Sequence, residues 1–193
     1  MKTITVSPAE MARRTARFAR LDSYQQQQER ATGIPAAAFA QIAAQRILPV
    51  MVPESYAGRA AMAPVKGGPG LVITIAECPP GDGAGLHAHE QNIENFFCLN
   101  GRFEIAWGDD GRDKVILEPL DFVSIPPRVC RSFKNISDET ARLLVIIQIV
   151  GEEQADRVHH TPGVGADIAK TFGRDTVEAL GRIGFKFDAG VTS

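Results

Sequence analysis

Two histidines and one glutamate lie close together in residues 81–101, GDGAGLHAHEQNIENFFCLNG. His87 and His89 are separated by one residue, and Glu94 follows five residues after the second histidine. Because side chains alternate faces along a strand, both imidazoles point to the same side. Two imidazoles and one carboxylate on one face are the ligands of a facial metal triad, which leaves coordination positions open for substrate or dioxygen. The segment therefore predicts a mononuclear metal site.

The segments that must position these residues have the pattern of an all-β domain. From Leu71 onward, short runs rich in β-branched or aromatic residues alternate with turns rich in Gly, Pro, Asp and Asn; the runs include LVITIAE, FEIAW, KVILE, DFVSI, RSFKN and RLLVIIQIV. Several short strands at regular spacing favour a sandwich or a barrel. The GDDGRD segment between FEIAW and KVILE predicts a hairpin turn.

The N-terminal part of the chain has helical signals instead. In SPAE, Ser7 is suited to cap a helix and Pro8 to its first turn, which predicts a helix over residues 8–21. A second helix is expected over residues 35–47, and the polar SYQQQQER between the two is expected to be a connector. The Pro- and Gly-rich stretch PVMVPESYAGRAAMAPVKGGPG is expected to be irregular.

These patterns divide the chain into three predicted segments. Residues 1–70 form a helical N-terminal extension that packs on the barrel, and residues 71–150 form the barrel. Residues 151–193 form a C-terminal extension in which the strands have ended. A short helix is expected there in GRDTVEALGRIG, with Asp175 as its cap.

The metal-site segment resembles the first motif of the cupin superfamily. Gly81, His87, His89, Glu94 and Gly101 match the fixed positions of that motif, and the spacing agrees throughout. The resemblance implies a small jelly-roll β-barrel with a metal ion at its centre. In cupins this ion is commonly iron, manganese, nickel or zinc, and the triad favours Fe(II). Cupin activities include those of dioxygenases, decarboxylases, isomerases and small-molecule binders, so the fold does not choose the function.

The second cupin motif is similar to residues 120–135, LDFVSIPPRVCRSFKN. Pro126 and Asn135 stand in register with the family pattern. Leu120 and Arg128 stand where the pattern has glycines. The resemblance covers roughly the predicted barrel and leaves the terminal helical segments outside it.

Arg131 stands at the position of the family's third metal histidine. A guanidinium carries a fixed charge and cannot coordinate a metal ion. One interpretation is that Arg131 anchors the carboxylate or enolate of a substrate that also binds the metal. The alternative is that Arg131 pairs with Glu94 and the metal site is inactive. The first is favoured because the triad is intact, but the sequence leaves both open.

The remaining histidines and cysteines have simpler interpretations. His159 and His160 lie beyond the last predicted strand, where a solvated loop pair is favoured over a substitute metal ligand. Strand alternation places Cys98 inward as a buried thiol and turns Cys130 away from the metal site. The three cysteines, which include Cys78, form no CxxC pair, and this favours a reduced, cytoplasmic setting.

Composition narrows the class of partner. The 193 residues carry a net charge of -2 and no strongly basic block, so neither nucleic acid nor an anionic membrane surface is expected as a partner. The longest apolar run, ARLLVIIQIVG, is too short to span a bilayer. A jelly roll has open edges that must be covered or paired, so the helices are expected to cover them and a homodimer is expected.

Together these observations predict a metal-dependent, dioxygenase-like oxidoreductase that acts on a small anionic substrate, such as an aromatic or enolic acid. His87, His89 and Glu94 are the expected metal ligands, and Arg131 and Glu94 are the expected catalytic residues. The alternative is a non-catalytic cupin that binds or senses a small molecule, with or without a metal ion.

Overall fold

The computed structural model describes residues 1–151 and 157–190, and their strands form two six-stranded sheets that face each other. The strands are β1 (Arg46–Pro53), β2 (Val65–Gly67), β3 (Leu71–Cys78), β4 (Gly83–His89), β5 (Ile93–Asn100), β6 (Phe103–Trp107), β7 (Asp113–Leu117), β8 (Phe122–Ile125), β9 (Arg131–Asn135), β10 (Ala141–Gln148), β11 (Val158–His160) and β12 (Phe185–Lys186). The order is β2-β1-β3-β10-β5-β8 in one sheet and β12-β11-β4-β9-β6-β7 in the other. The predicted all-β jelly-roll fold with helices at both ends is confirmed, and GDDGRD does connect the antiparallel β6 and β7.

The space between the sheets is filled by every second side chain of the strands. Phe96 and Leu143 come from one sheet and Phe103 and Ile105 from the other, and all four are fully buried. Each such side chain contributes about 1.5–3 kcal/mol when it leaves water. Cys98 is also fully buried in this core, which agrees with its predicted inward orientation.

The helices are α1 (Pro8–Arg13), a 3-10 turn (Phe18–Arg20), α2 (Tyr24–Thr32), α3 (Ala36–Ile42), α4 (Pro162–Phe172) and α5 (Arg174–Arg182). Helices α2 to α5 pack together on one side of the barrel, whereas α1 and the 3-10 turn bury no residue. Phe39, Ile168 and Leu180 form a second apolar cluster with Val158 of β11 and Phe185 of β12. Both termini thus cover the same side of the barrel. Within the described part of the chain, the helices are too short and too polar to cross a bilayer.

Several predicted elements in the N-terminal part are wrong in extent or type. Ser7 does cap α1 by accepting a hydrogen bond from the Glu10 amide, but that helix ends at Arg13. The second predicted helix ends at Ile42. SYQQQQER is helical rather than a connector because the fold buries Gln25, whose amide donates to the Ala44 carbonyl oxygen at 2.5 Å. Tertiary contacts outweigh the polar composition of this segment.

The strands also extend beyond the predicted limits. The stretch expected to be irregular contains the second part of β1 and the whole of β2. Pro49 lies next to a bulge in the pairing of β1 with β3, a position where a strand tolerates the missing N–H of proline. After Gly151 the strands continue, since β11 pairs with β4 and with β12. The C-terminal helix α5 is present, but Gly173 rather than Asp175 precedes its first turn. The division into three segments stays a prediction.

Candidate metal centre

The three predicted metal ligands lie together on the inward faces of β4 and β5. The ligand atoms of His87, His89 and Glu94 are all within 4.8 Å of one another, and all three residues are buried. His87 Nε2 lies 3.6 Å from Glu94 Oε2, and His89 Nε2 lies 3.6 Å from Glu94 Oε1. Donor atoms at such separations can converge on one ion at bond lengths of about 2.0–2.2 Å. The buried group could therefore hold a metal ion.

The orientation of His87 fits this donor set. Its Nδ1 lies 2.7 Å from the carbonyl oxygen of Gly85, so Nδ1 carries the proton and donates it to that oxygen. The Nε2 lone pair then faces Glu94 and the interior. A hydrogen bond from the second ring nitrogen to a carbonyl is the usual way in which a protein fixes a metal-binding imidazole.

Arg131 lies directly behind Glu94 and pairs with it. Its Nε and one terminal nitrogen donate to Glu94 Oε2 at 2.8 and 2.6 Å, and its other terminal nitrogen donates at 3.4 Å to the carbonyl oxygens of His87 and Val129. The side chain is 1% exposed. Burial lowers the pKa of Arg131 to about 9, which still leaves the guanidinium charged at neutral pH. Oε1 of Glu94 stays turned toward His89.

A cavity of about 150 Å³ adjoins the triad. Most of its wall is aliphatic or aromatic; these residues include Ile42, Ile47, Val72, Val145, Ile147, Phe133 and Phe185. Its polar lining includes the triad, Tyr24, Arg59 and His160. Arg131 lies outside this lining, with its guanidinium directed at Glu94. The prediction that Arg131 anchors a substrate anion stays a prediction; the hydrogen bonds of Arg131 to Glu94 are present.

His160 is part of the cavity, and the prediction of a solvated loop pair is wrong for this residue. Strand β11 pairs with β4 so that His160 lies opposite His87, and the two rings are 5.2 Å apart. His160 is 1% exposed and its two ring nitrogens have no hydrogen-bond partner. Burial, followed by the nearby His87, lowers the pKa of His160 well below its usual range, so the imidazole is neutral. His159 faces outward and bonds to Asp188 at 2.6 Å.

Two positions that carry glycine in the family pattern keep the glycine backbone conformation here. Leu120 has φ 75° and Arg128 has φ 63°. Positive φ is uncommon for residues with a Cβ atom. The loops on either side of β8 therefore hold the shape that the second motif requires even though the glycines are absent.

The sequence reasoning missed Tyr24 and Arg59. The Tyr24 hydroxyl is buried without a hydrogen-bond partner, and burial raises the pKa of Tyr24 to about 12. Arg59 donates to the Ile183 carbonyl oxygen at 3.2 Å, and its guanidinium lies 4.4 Å from the centre of the Phe185 ring. Both residues come from segments without a strand pattern, so no local signal placed them at the barrel. If β11 had been predicted as a strand, the alternation of its side chains would have placed His160 on the inward face.

Comparison with protein families identifies the domain. Residues 74–147 match the model of the cupin domain, and this segment contains the whole triad. The chain therefore belongs to the cupin superfamily. A search of curated proteins found no match.

Solved structures similar to this chain are also cupins. A cupin protein from Bacteroides fragilis is 30% identical, with 44% of this chain and 70% of that chain covered and a TM-score of 0.39. The cupin domain of Cnp3 from Schizosaccharomyces pombe is 18% identical, with 54% and 65% covered and a TM-score of 0.42. A sugar phosphate isomerase from Silicibacter pomeroyi is 17% identical, with 60% and 65% covered and a TM-score of 0.42. The chain thus spans just under two thirds of the last two proteins.

Proposed function

We propose that this chain is a metal-dependent cupin enzyme that acts on a small organic anion in a dioxygenase-like reaction. His87, His89 and Glu94 hold one divalent metal ion, with Fe(II) favoured over manganese, nickel and zinc. The observation that carries the proposal is the convergence of three buried donor side chains, within 4.8 Å of one another, beside a cavity. The proposal includes a cytoplasmic location and a homodimer, as expected from the sequence.

Some residues of the site would bind the ion, and others orient the ligands that bind it. When bound, Fe(II) in a site with two histidines and one carboxylate supplies Lewis acidity and open positions for substrate and dioxygen. Glu94 would hold the ion together with the two histidines, and Arg131, which donates to Glu94 Oε2, acts as a positioning residue for this carboxylate. The aliphatic wall excludes water, which strengthens every charge interaction inside the cavity. His87 is kept in one orientation by the Gly85 carbonyl oxygen.

The test of the metal site is the metal content of protein purified without a histidine tag. Wild-type protein, His87→Ala and Glu94→Gln are compared by elemental mass spectrometry after reconstitution with Fe(II) or Zn²⁺. We expect near-stoichiometric metal in the wild type and strong loss in both variants. His159→Ala is the matched control, since this histidine bonds to Asp188 outside the cavity and its loss leaves the metal content unchanged. Wild-type protein without metal would contradict the proposal.

A second candidate function is a non-catalytic cupin that binds a small molecule without metal. The observation in its favour is the buried ion pair of Arg131 and Glu94, in which the guanidinium takes the place of a metal cation. Oxygen consumption with Fe(II)-loaded protein and a set of aromatic and enolic acids separates the two functions. Consumption that requires both Fe(II) and an acid supports the enzyme, and metal-independent binding of the acid without consumption supports the binder.

A further inference from the structure

The cavity beside the triad has further polar groups, contributed by residues outside the cupin motif. Among the described residues, four buried side-chain nitrogen or oxygen atoms lack a hydrogen-bond partner, and three of them belong to cavity-lining residues. These three are the Tyr24 hydroxyl and the two ring nitrogens of His160. A buried polar atom without a partner is unfavourable in an empty cavity, and its cost disappears when a ligand supplies the missing bond.

We propose that Tyr24, Arg59 and His160 form the binding site for the carboxylate and adjoining polar group of a small aromatic or branched acid. We call these three residues the recognition wall. The inference rests on the proposed function, because it names the substrate class for the same metal site. It differs from the sequence-based interpretation in that the anion is bound by the recognition wall instead of Arg131.

The charges around the cavity select an anion. Glu94 is the one carboxylate among the cavity-lining residues that the structure describes, and Arg131 already pairs with it. Arg59 adds a guanidinium to the lining, and a divalent metal ion would add further positive charge. A carboxylate is the group to which a guanidinium makes its strongest hydrogen bonds. Tyr24 and His160 add polar atoms that have no hydrogen-bond partner in the protein.

The size and the apolar wall of the cavity indicate what kind of body the anionic group of the ligand is attached to. A cavity of about 150 Å³ is of the size that accommodates a benzene ring. Its aliphatic and aromatic lining fits a compact apolar body, and the triad and the recognition wall provide the polar contacts. Phosphorylated sugars are poorly matched, since most of this wall offers no hydrogen bonds.

The recognition wall is built entirely from segments outside the matched cupin domain. Tyr24 comes from α2, Arg59 from the loop between β1 and β2, and His160 from β11. Phe185 of β12 connects two of them, because its ring contacts the Arg59 guanidinium at 4.4 Å and the His160 ring at 5.9 Å. The cupin domain therefore supplies the metal ligands, and the terminal segments supply the ligand specificity.

Calorimetric titration with benzoate, and with uncharged benzamide as its counterpart, tests this site. Zinc-loaded and metal-free protein are both used, with zinc content measured separately. For zinc-loaded protein we expect Arg59→Gln to weaken benzoate binding roughly tenfold or more and Tyr24→Phe to weaken it several-fold. Benzamide is expected to bind more weakly and to be little affected by Arg59→Gln. Arg102→Gln, which changes an exposed arginine paired with Glu118, is the control and leaves both affinities unchanged.

Thermal unfolding separates a recognition role from a structural one. Tyr24→Phe removes a hydroxyl that has no partner, so the unfolding midpoint of ligand-free protein is expected to rise while benzoate affinity falls. The recognition wall would be wrong if zinc binds stoichiometrically but benzoate does not bind, or if benzoate binds equally well to the Arg59 and Tyr24 variants. Neither outcome would contradict the metal proposal. Benzoate binding that depends on Arg59 in protein unable to hold zinc would support the wall and overturn the metal proposal.

Discussion

Arg131 and a metal ion compete for the same carboxylate of Glu94. The guanidinium donates two hydrogen bonds to Oε2, and the pair is buried. Removal of one partner from a buried ion pair leaves the other charge without compensation and strongly destabilises the fold. The intact pair, by contrast, contributes little stability compared with an apolar replacement of both residues. The arginine therefore keeps the Glu94 carboxylate oriented when no cation is present, and it lowers the affinity of the site for one.

Replacement of Arg131 by methionine is expected to affect stability and metal affinity in opposite directions. Arg131→Met leaves the Glu94 carboxylate buried without its partner, so the free energy of unfolding in urea should fall by about 3–5 kcal/mol in metal-free protein. Zinc supplies the missing positive charge, so the variant should bind zinc more tightly than the wild type and regain much of its stability. A purely structural role for Arg131 would lower stability without raising zinc affinity.

Arg142→Met provides the matched control for this change. Arg142 pairs with Glu77 on β10 and β3, but its side chain is 35% exposed. Solvent screens such a pair, and its loss should cost less than about 1 kcal/mol, with no dependence on zinc. Equal losses at the two arginines would contradict the special role assigned to Arg131.

At the scale of elements, strand β4 determines the geometry of the centre. It carries both histidines, pairs with β9 and the Arg131 position on one side, and pairs with β11 and His160 on the other. Its first residue, Gly83, lies so close to β9 that a Cβ atom there would overlap the Phe133 carbonyl oxygen. The close approach of these two backbones fixes where the histidines stand.

Substitution of Gly83 should therefore damage the fold and the metal site together. Gly83→Ala forces β4 away from β9, and we expect a loss of about 3 kcal/mol or more in unfolding free energy with weaker zinc binding. Gly181→Ala is the control, since the added methyl group in α5 meets nothing within 4 Å and should stabilise the helix by about 0.5 kcal/mol. A Gly83→Ala protein as stable as the wild type would show that the strands can separate freely.

The parts of the fold that the sequence predicted are those determined by local pattern. The alternation of the barrel strands and the spacing of His87, His89 and Glu94 are periodic signals, and the structure places them as expected. Helix α2 and strand β1 were missed because long-range contacts stabilise them, such as the bonds of Gln25 to Ala44 and Ile47. For the same reason the recognition wall could not be predicted, since its three residues meet only in the folded chain.

At the scale of the whole molecule, helices α2, α3 and α5 contact strands β1, β4 and β12. Strands β7 and β8 are the last strands of the two sheets. Apolar side chains remain exposed there, with Leu120 at 72% and Phe122 at 55%. Open strand edges with exposed apolar residues favour association with another chain. The predicted homodimer is therefore expected to form through this surface, made of β7, β8 and the turn between them, rather than through the helices.

Leu120 offers the sharpest test of that dimer because it combines exposure with a positive φ. A left-handed conformation costs a leucine about 1–2 kcal/mol, a cost that glycine avoids. In light scattering at micromolar concentration, we expect the wild type to have the mass of two 20.8 kDa chains and Leu120→Gly to approach the mass of one. Phe18→Ser, at an exposed aromatic residue near the N terminus, should remain dimeric.

A wild-type monomer would contradict the predicted dimer. If Leu120→Gly stays dimeric and unfolds at a higher temperature than the wild type, the interface lies elsewhere. Leu120 would then be a strained loop residue only.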